Sequence, residues 1–412
     1  MLPRHAPRPR QRPPPMSRIL IATSPEKGHL NPMAGVAQWM RRMGHHVGWL
    51  CIPEPAPQLE RLGVEVLTLP HAEAPVPAIE TGGEALARLV LDEAALGQWI
   101  RGLLIDAVPS LLAPVREAVE RFRPDVMALD GMQYAAVLAA HALRIPWAGV
   151  SSALSLLEPP IDYGLRRNVR ALADERQALF SRHGFDARFR NCECLSPDLN
   201  VIFATEAFLG SDAGLPPATH LVGPSQPPEA RGDEVDFPWE RLGSKPVVYV
   251  SFGSQISWQP DLFQTMTEAA APLGVTVVLS AGELADTDFV HSLPGDVVAV
   301  PYTPQRQLLS RVSVLVSHGG ANSVMEALTE GVPMLLLPVC NDQPIQAHFL
   351  AKSGAGLVRA PRSLSVEDCR EALRQLLEPG TVLRQRVAGI AASYQARDGA
   401  KDAAERILRL VA

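Results

Sequence analysis

Short apolar runs alternate with longer amphipathic stretches from residue 17 onward, which predicts a regular succession of strands and helices. The runs are rich in Val, Ile and Leu and have no polar face, which is typical of parallel strands covered by helices on both sides. In the amino-terminal half the predicted strands are 18–22, 46–51, 64–69, 126–129, 147–150 and 199–205, and the predicted helical stretches include 36–43, 83–121 and 134–143. Alternation of this kind predicts a parallel, doubly wound sheet.

A second series of the same kind begins at residue 247. Its predicted strands are 247–252, 275–280, 297–300, 312–316 and 332–339. The segment between the two series, 216–245, is rich in proline and has little periodicity, which is typical of a linker. A chain of 412 residues also exceeds what one ordinary core holds. We therefore predict two Rossmann-like α/β domains, 17–215 and 246–412, with a cleft between them.

Composition restricts the class of protein further. A hydrophobic content of 47% with 20% charged residues is that of a soluble globular protein, and the net charge of -6 argues against a nucleic-acid partner. No apolar run approaches the roughly 18–20 residues that a membrane span needs. Five cysteines without an even framework indicate a reducing compartment, so we expect a cytoplasmic protein. The close pair Cys192 and Cys194 lacks two further ligands at zinc-site spacing and predicts no metal site.

The first sixteen residues predict a disordered extension. Residues 1–15 contain six prolines and four arginines. They lack the apolar core of a secretory signal, and the prolines forbid the amphipathic helix of a mitochondrial presequence. Met16 directly precedes the first strand, so the choice of start site is one explanation of the extension.

The stretch 302–350 carries the most informative chemistry. The predicted strand 312–316 ends in the tetrapeptide SHGG, and Asn322 and Ser323 then supply N-cap groups for an amphipathic helix. Adjacent glycines allow close backbone approach, and a helix start offers free N–H groups and the positive end of the helix dipole. This combination predicts a phosphate site, with His318 as a further donor. One more strand–helix unit without a ligand is the alternative on physical grounds.

A second apolar strand follows this helix and ends at Asn341, Asp342 and Gln343, whose side chains can bind hydroxyl groups. Phosphate and sugar would then lie at the carboxyl ends of neighbouring parallel strands, where open α/β sheets bind ligands.

The first strand–helix turn, SPEKGHLNP, contains a histidine. Asn31 can cap a helix that begins at Pro32, which places His29 in the loop before the helix. The helix dipole there disfavours the imidazolium and predicts a neutral, proton-accepting ring. By position alone, however, a loop histidine is more often structural than catalytic. Asp130 directly follows the strand 126–129 and is either an N-cap of the next helix or a functional carboxylate.

The order PQxxLL, HGGxNSxxEAL, GVPM and DQ within 302–350 resembles the nucleotide-sugar signature of the UDP-glycosyltransferases of glycosyltransferase family 1. That family has the GT-B fold and includes plant secondary-product glucosyltransferases and bacterial macrolide and carotenoid glycosyltransferases. Two positions depart from the plant pattern: HCGWNS reads HGGANS, in the bacterial style, and the Asn three residues after DQ is Gln346. Neither change removes a phosphate ligand, but both leave the sugar less defined.

The resemblance implies a role for each matching residue in binding a UDP-sugar donor. Tyr302 would stack on the base, where plant members carry Trp, and Gln305 would hydrogen-bond it. The pyrophosphate would be bound by His318, Gly320, Asn322 and Ser323, the ribose by Glu326, and the transferred sugar by Asp342 and Gln343. Gly253 and Ser254, in the sequence VYVSFGS, would approach the nucleotide from the opposite side, although Gly253 also suits a plain strand-to-helix turn.

The resemblance also implies the catalytic pair. Turns of the GHxxP type carry the catalytic histidine in this family, so GHLNP implies His29 as general base. Asp130 would orient the histidine, and Asp125 is the less favoured choice. The base would take the proton of an alcohol acceptor while the nucleoside diphosphate leaves, and this single displacement inverts the anomeric configuration.

The family's chemistry sets further expectations. No cofactor is expected, since the nucleotide sugar is a co-substrate. No metal is expected either, because the DxD match at 286–288 lies in a polar loop. The final helix, 400–411, is expected to cross back to the first domain. UDP-glucose is expected to outperform UDP-galactose and TDP-glucose, since Gln at the position of Gln343 goes with glucose in the plant members.

The acceptor is expected to be a hydrophobic natural product such as a macrolide, polyketide, carotenoid or flavonoid-like aglycone. Candidate lining residues, which could equally be helix core, are Trp99, Leu103, Leu104, Ile105, Leu111, Leu154, Leu156 and Leu157. Three alternatives keep the same fold: transfer of a deoxysugar from a TDP donor, a nucleotide-sugar epimerase or hydrolase, and a non-catalytic auxiliary protein. The presence of both His29 and Asp130 argues against an epimerase, and the intact set of donor residues argues against an auxiliary protein.

Overall fold

The computed structural model describes residues 16–72, 83–232 and 234–411. The predicted extension therefore lies outside the described residues, except for Met16. The strands are β1 Arg18–Ala22, β2 His46–Cys51, β3 Glu65–Thr68, β4 Val126–Leu129, β5 Trp147–Ser151, β6 Phe189–Arg190, β7 Glu193–Cys194, β8 Leu199–Ile202, β9 Thr219–Leu221, β10 Val247–Ser251, β11 Thr276–Ser280, β12 Asp296–Val300, β13 Val314–Ser317, β14 Met334–Leu336 and β15 Gly356–Val358.

The α-helices alternate with these strands. They are α1 Lys27–Arg42, α2 Ala56–Arg61, α3 Gly83–Leu89, α4 Glu93–Arg101, α5 Val108–Phe122, α6 Tyr134–Leu143, α7 Gly164–Ala171, α8 Ala173–Ser181, α9 Glu206–Leu209, α10 Pro260–Ala270, α11 Asp288–Ser292, α12 Gln305–Leu309, α13 Ala321–Glu330, α14 Gln343–Ser353, α15 Val366–Leu377, α16 Val382–Gln395 and α17 Gly399–Leu408.

Two parallel sheets organise the molecule, as the alternation predicted. The first has the strand order β3-β2-β1-β4-β5-β8-β9, and the second has the order β12-β11-β10-β13-β14-β15. Both faces of the first sheet are covered, because Ile19 and Ile21 of β1 pack into one hydrophobic core while Leu20 packs into another. This double coverage explains why the strands are continuously apolar.

Each sheet has one point where the strand order reverses. In the first sheet β1 pairs with both β2 and β4, and in the second β10 pairs with both β11 and β13. The loops that leave the carboxyl ends of such neighbouring strands diverge to opposite faces and leave a crevice between them. The predicted catalytic pair follows β1 and β4, and the predicted phosphate residues follow β10 and β13, so both sets lie at these two points.

Several boundaries differ from the sequence prediction. The segment predicted as a linker, 216–245, begins as a strand, since β9 pairs with β8 at the edge of the first sheet. The long helical stretch is divided into α3, α4 and α5, with a π-helical turn at Gly102–Asp106 between the last two. The short strand β15 and the two-stranded β6–β7 sheet were not predicted, because two or three residues are too few for a readable apolar run.

The last helix contacts elements of the amino-terminal half of the chain. Helix α17 packs along α1 and reaches β4 and β8. The approach is close: the Gly399 amide donates to the Pro224 carbonyl at 3.0 Å, and a Cβ atom on Gly399 would lie 2.3 Å from the Gly223 oxygen. The contact therefore requires glycine at position 399.

Candidate active site

One cavity of about 240 Å³ lies between the carboxyl ends of the two sheets. His29 lines its amino-terminal wall. Every residue predicted to bind the donor lines it as well: Gly253, Ser254, Tyr302, Gln305, His318, Gly320, Asn322, Ser323, Glu326, Asp342 and Gln343. The structure thus brings together residues that are separated by up to 314 positions in the sequence, from 29 to 343.

His29 forms an ion pair with the buried Asp130, with Nδ1 of the imidazole against Oδ2 of the carboxylate. Asp130 is only 2% exposed and also accepts a hydrogen bond from the Met132 amide at 3.0 Å, whereas 24% of the His29 side chain remains accessible. Asp130 does not cap α6, whose N-cap is Gln133. Asp125 instead accepts from the Arg18 amide at 2.7 Å, at the other end of the sheet.

The helix that carries His29 begins earlier than predicted. It starts at Lys27 with Glu26 as N-cap, so Asn31 is not a cap and Pro32 lies inside the helix. Proline lacks an N–H, so the carbonyl of Gly28 receives no intrahelical hydrogen bond from position 32. Asn322 Nδ2 approaches that carbonyl at 3.2 Å and the Lys27 carbonyl at 3.1 Å. A residue of the second domain thus compensates for the proline.

The prediction of a neutral His29 ring is wrong for the structure as it stands. Burial alone would lower the pKa of His29, but the charge and hydrogen bond of Asp130, with smaller contributions from Glu26 and Asp342, raise it to about 10. The paired carboxylate therefore outweighs the helix dipole. The ring is an imidazolium near neutral pH and becomes a proton acceptor as the pH rises.

Sequence reasoning missed the other contact of the His29 ring. Ser152, which directly follows β5, has its Oγ 2.8 Å from His29 Nδ1. The Nδ1 atom is thus surrounded by Asp130 and Ser152, and Nε2 is the ring nitrogen left for a substrate. An isolated serine after a strand carries no sequence signal, and only the neighbouring positions of β4 and β5 bring it to His29.

The predicted phosphate site lies where α13 begins. Its N-cap is Gly320, and Asn322 and Ser323 lie in the first helical turn. The prediction that Asn322 and Ser323 supply the N-cap is therefore wrong. Around this turn, the His318 ring fills the space beside two glycines: a Cβ atom would lie 2.5 Å from Nε2 at Gly320 and 2.9 Å from the ring at Gly253. Burial lowers the pKa of His318 to about 4, so it is a neutral hydrogen-bond donor and not a cation.

The side chains predicted to bind base and ribose bond to one another in the structure. Glu326 pairs with Arg231 at 2.7 Å and accepts from Gln305 Nε2 at 2.8 Å. Ser323 donates to Gln305 Oε1 at 3.3 Å. Arg231 and Glu326 are only 9% and 10% exposed. Sequence reasoning missed Arg231 because it lies in the segment 216–245, which was read as a linker.

A second cavity of about 250 Å³ adjoins the first on the far side of this ion pair. Its lining shares Arg231, Tyr302, Thr303, Gln305 and Glu326 with the first cavity. The shared position of Tyr302 at both cavities suits its predicted role as a platform for a base. One face of its ring is covered by the Lys27 ammonium, 3.7 Å from the ring centroid.

Asp342 and Gln343, which were predicted to bind the transferred sugar, also take part in the structure at the start of α14. The Gln343 side chain is 5% exposed, and its Oε1 accepts from the amides of Val339 and Cys340 at 2.8 and 2.9 Å. It therefore shapes the loop before α14, and the neighbouring Asp342 is the N-cap of that helix. Burial raises the pKa of Asp342, and the charge of His29 opposes that rise.

The apolar wall of the first cavity comes from the amino-terminal domain. Of the predicted acceptor residues, Trp99, Leu103 and Leu104 line it, the last two from the π-helical turn. The remaining five are core residues or pack against the core, namely Ile105, Leu111, Leu154, Leu156 and Leu157. Sequence reasoning missed Ile100, Met132, Leu165 and, across the cleft, Phe252 and Ile256. Buried π-turns often mark functional positions, because they displace side chains from helical register.

The described residues contain neither a metal-binding cluster nor a membrane-spanning helix. Among residues 16–72, 83–232 and 234–411, no group of three His, Cys, Asp or Glu side chains is arranged to hold a metal ion. Asp286 and Asp288 end one short helical turn and begin another, and neither lines the cavity. No helix in the described part of the chain is both long and apolar enough to cross a membrane.

Solved structures show the fold class. The glycotransferase of kitacinnamycin superposes with a TM-score of 0.78 at 23% identity, over 97% of this chain and 100% of that chain. CalG4, the calicheamicin glycosyltransferase, superposes with a TM-score of 0.73 at 21% identity, over 96% and 98%. These likenesses confirm the predicted GT-B fold.

Sequence comparisons show which proteins the chain resembles. The family model for UDP-glucoronosyl and UDP-glucosyl transferase matches residues 225–385. The 4'-demethylrebeccamycin synthase of Lentzea aerocolonigenes is 26% identical over 96% of this chain and 100% of its own length. The uncharacterized UDP-glucosyltransferase YojK of Bacillus subtilis (strain 168) is 23% identical over 96% and 98%. These matches confirm the predicted resemblance to the family 1 glycosyltransferases.

Proposed function

We propose that this glycosyltransferase moves a hexose from a nucleotide sugar, with UDP-glucose as the preferred donor, to a hydroxyl of a hydrophobic natural product, with inversion at the anomeric carbon. One observation carries the proposal. His29, which pairs with Asp130, lines the same cavity as the glycine-framed start of α13, and Asn322 bonds α13 directly to the first turn of the His29 helix.

His29 is the general base in this proposal and acts from its unprotonated form, whose share grows as the pH rises towards the raised pKa of about 10. Its Nδ1 is held by Asp130 and Ser152, so Nε2 takes the proton from the acceptor hydroxyl. The oxygen forms a bond to the anomeric carbon as the bond from that carbon to the diphosphate oxygen breaks. Asp130 stabilises the imidazolium that results and fixes the ring orientation. One displacement of this kind converts an α-linked donor into a β-glycoside.

The start of α13 receives the negative charge of the leaving diphosphate. Free amides and the positive end of the helix dipole favour an anion there. His318 contributes a neutral N–H donor, since burial keeps its pKa near 4. A fixed set of donors stabilises the developing charge without reorganisation.

The nucleoside would occupy the region between the two cavities. Tyr302 supplies the stacking platform, and Glu326 would exchange part of its bonding with Arg231 and Gln305 for the ribose hydroxyls. A carboxylate has about four acceptor sites, so two protein contacts leave room for a ribose. A deoxyribose would satisfy fewer of them, and an unpaired buried acceptor costs about 1–3 kcal/mol. This difference supports UDP over TDP.

The apolar wall supports a hydrophobic acceptor. Trp99, Leu103 and Leu104 line the same cavity as His29, so an apolar ring system bound against them would lie in the cavity that contains the base. Relatives with comparable sequence similarity are named for natural products: the zeaxanthin glucosyltransferase of Pseudescherichia vulneris is 26% identical over 90% of this chain and 93% of its own length.

A second candidate is transfer of a deoxysugar from a TDP donor. It is favoured by VinC, solved in complex with DTDP, which superposes with a TM-score of 0.70 at 20% identity. The demethyllactenocin mycarosyltransferase of Streptomyces fradiae, 26% identical over 85% of this chain and 77% of its own length, points the same way. This candidate is second because a deoxyribose would satisfy fewer acceptor sites of Glu326 than a ribose would.

Release of the nucleoside diphosphate in the presence of a panel of lipophilic alcohols tests the proposal. UDP-glucose, UDP-galactose and TDP-glucose are compared at equal concentration, and the glycoside is detected by mass. We expect the highest kcat/KM with UDP-glucose, a β-linked product and full activity in chelator. If TDP-glucose matches UDP-glucose, the second candidate replaces the first. Diphosphate release without a glycoside would indicate hydrolysis, and activity that requires added magnesium or manganese would contradict the metal-independent mechanism.

A further inference from the structure

Glu193 is a buried carboxyl group behind the catalytic pair, and the mechanism above gives it no role. It lies on β7 and is 4% exposed. The strand approaches the loop after β4 closely, because the Cys194 amide donates to the Gly131 carbonyl at 2.9 Å. A Cβ atom on Gly131 would lie 2.8 Å from the Glu193 Cβ. Glu193 is therefore fixed beside the residue that follows Asp130.

The Glu193 side chain contacts the hydroxyl of Ser151, which also contacts a backbone carbonyl. Ser151 Oγ lies 2.7 Å from Glu193 Oε1 and 2.8 Å from the Ala153 carbonyl oxygen. A serine hydroxyl has one proton to donate, and a carbonyl oxygen can only accept. If Ser151 donates to Ala153, the bond between Ser151 and Glu193 must carry a proton that belongs to the carboxyl group. Both bonds form together only when Glu193 is a neutral acid.

These two bonds hold the turn that carries Ser152. Ser151 and Ala153 flank Ser152, whose Oγ lies 2.8 Å from His29 Nδ1. The hydrogen-bonded chain from Glu193 through Ser151 to Ala153 therefore fixes one of the two groups that orient the base. A second negative charge beside Asp130 would also favour the imidazolium over the proton-accepting ring.

We propose that Glu193 is a positioning residue that acts as a neutral carboxylic acid, donating its proton to Ser151 and thereby fixing the turn that orients His29. The proposal rests on the proposed function of His29 as the base. Burial and the charge of Asp130 raise the pKa of Glu193 to about 8. This agrees with the protonated carboxyl group that the two hydrogen bonds of Ser151 require. The other groups that act on Glu193 are His29 from α1, Asp342 from the second domain, and Cys192 on the adjoining segment.

The decisive variants are Glu193→Gln and Glu193→Ala. Glutamine keeps a donor for Ser151 without an ionisable proton, so it should restore the turnover that alanine loses. We expect Glu193→Ala and Ser151→Ala to lower kcat by about 10- to 100-fold, as for a slightly misplaced base, with little change in UDP affinity. A Gln variant as impaired as the Ala variant at pH 7 would overturn the proposal, because it would mean that the carboxylate charge is needed.

The pH dependence separates positioning from a merely structural role. Wild type and Glu193→Gln should have equal rates below about pH 7, and wild type should fall behind progressively above about pH 8, where Glu193 ionises. The ratio of the two rates cancels the titration of His29 as long as Glu193 is neutral, so a change in the ratio reports the ionisation of Glu193. A rate ratio that stays constant between about pH 6 and about pH 9.5 contradicts the proposal.

Infrared difference spectra of wild type minus Glu193→Gln test the protonation state without any substrate. A protonated-carboxyl C=O band is expected at pH 7, and it should disappear as the pH is raised through the range in which the rates diverge. Absence of the band at pH 7 overturns the proposal even if the protein is an active transferase. Conversely, a His29→Ala variant that keeps full turnover would refute the proposed function, while the infrared band would still report Glu193.

Discussion

At the scale of single residues, His29 lies where three influences compete. Its place in the first turn of α1 and its partial burial both disfavour a charged ring, whereas Asp130 favours one. The carboxylate prevails because it contacts Nδ1 directly and is itself almost fully buried, so little water screens the pair. The same ion pair that raises the pKa of the ring also stabilises the imidazolium formed when the acceptor loses its proton.

Replacing His29 tests its assignment as the base. We expect His29→Ala to lower kcat by about 100- to 10,000-fold, because proton transfer by a positioned group typically contributes that much. UDP affinity should hardly change, since the donor residues lie on the second domain. Asp130→Asn should lower kcat less than His29→Ala. Steady-state kinetics with calorimetric UDP binding measure both effects, and His291→Ala, at an exposed histidine of α11, is the control. Near-normal turnover in His29→Ala would disprove the assignment.

The raised pKa of His29 makes a separate prediction. Histidine side-chain NMR should show this ring titrating near pH 10, and Asp130→Asn should move the titration to lower pH. Because the folded-state pKa lies above the unfolded value of about 6.5, the pair stabilises the fold fully below that pH, and the contribution is lost as the pH rises to about 10. A ring that titrates near pH 6.5 in the wild type would contradict the ion pair.

Candidate site residues could be named from the sequence, together with one partner, Asp130, but their other partners could not. The GHLNP turn and the HGGANS stretch are local patterns, so they pointed to His29 and His318 as candidates. Arg231 and Ser152 were missed, because their contacts with Glu326 and His29 join positions that are far apart in the sequence. The neutral His29 ring was predicted from the helix dipole alone and failed because the strength of the Asp130 contact is a property of the folded chain.

At the scale of secondary-structure elements, the strand ends of the second sheet depend on glycine for a packing reason. Gly253 follows β10 with φ +78°, and Gly320 precedes α13; the His318 ring lies between them. Side chains at these positions would push the ring away from the start of α13. In the HGG sequence, Gly320 therefore leaves room for the His318 ring as well as for the close approach of a phosphate.

Gly253→Ala tests that arrangement, and Gly274→Ala is its matched control. Both glycines have positive φ, +78° and +66°, so both substitutions carry a backbone strain of about 1–2 kcal/mol. Only position 253 adds a clash, 2.9 Å from His318, whereas a Cβ atom at 274 meets nothing within 4 Å. We expect similar losses of thermal stability and a loss of UDP affinity in Gly253→Ala alone, measured by calorimetry. Equal UDP affinity in the two variants would exclude His318 from the donor site.

Element types were predictable where an apolar run is long and uniform. Strands β1, β2 and β4 begin and end at the predicted residues, because the apolar residues of each are buried, and β1 and β2 begin at the half-buried polar residues Arg18 and His46. The start of α1 was misplaced by the expectation that Pro32 marks a first helical position. That rule fails here because Asn322, from the other domain, compensates for the N–H that proline lacks. Such compensation cannot be read from local sequence.

At the scale of the whole molecule, α1 links the base to both domains. The segment after β9 follows the helix closely: Ser225 Oγ donates to the Pro32 carbonyl at 2.5 Å, and Gln38 Nε2 donates to the Ala230 carbonyl at 2.8 Å. The same segment then delivers Arg231 to Glu326 in the donor region. Helix α17 covers another part of α1. The position of His29 relative to α13 thus depends on contacts far from either residue.

Gly35→Leu tests this dependence, with Gly389→Leu as its control. Both glycines are inside helices, but a Cβ atom on Gly35 would lie 3.1 Å from the Ala400 Cβ and 3.2 Å from Pro227, whereas nothing lies within 4 Å at Gly389. Overpacking costs about 1–3 kcal/mol and displaces the helix, and a shift of about 1 Å at the base costs roughly 100-fold in rate. We therefore expect Gly35→Leu to reduce kcat strongly while UDP affinity changes far less, and Gly389→Leu to retain both. Stopped-flow turnover and UDP calorimetry on the folded variants provide the comparison. If Gly35→Leu is folded and fully active, the packing of α1 against α17 and the 224–232 segment does not determine where the base lies.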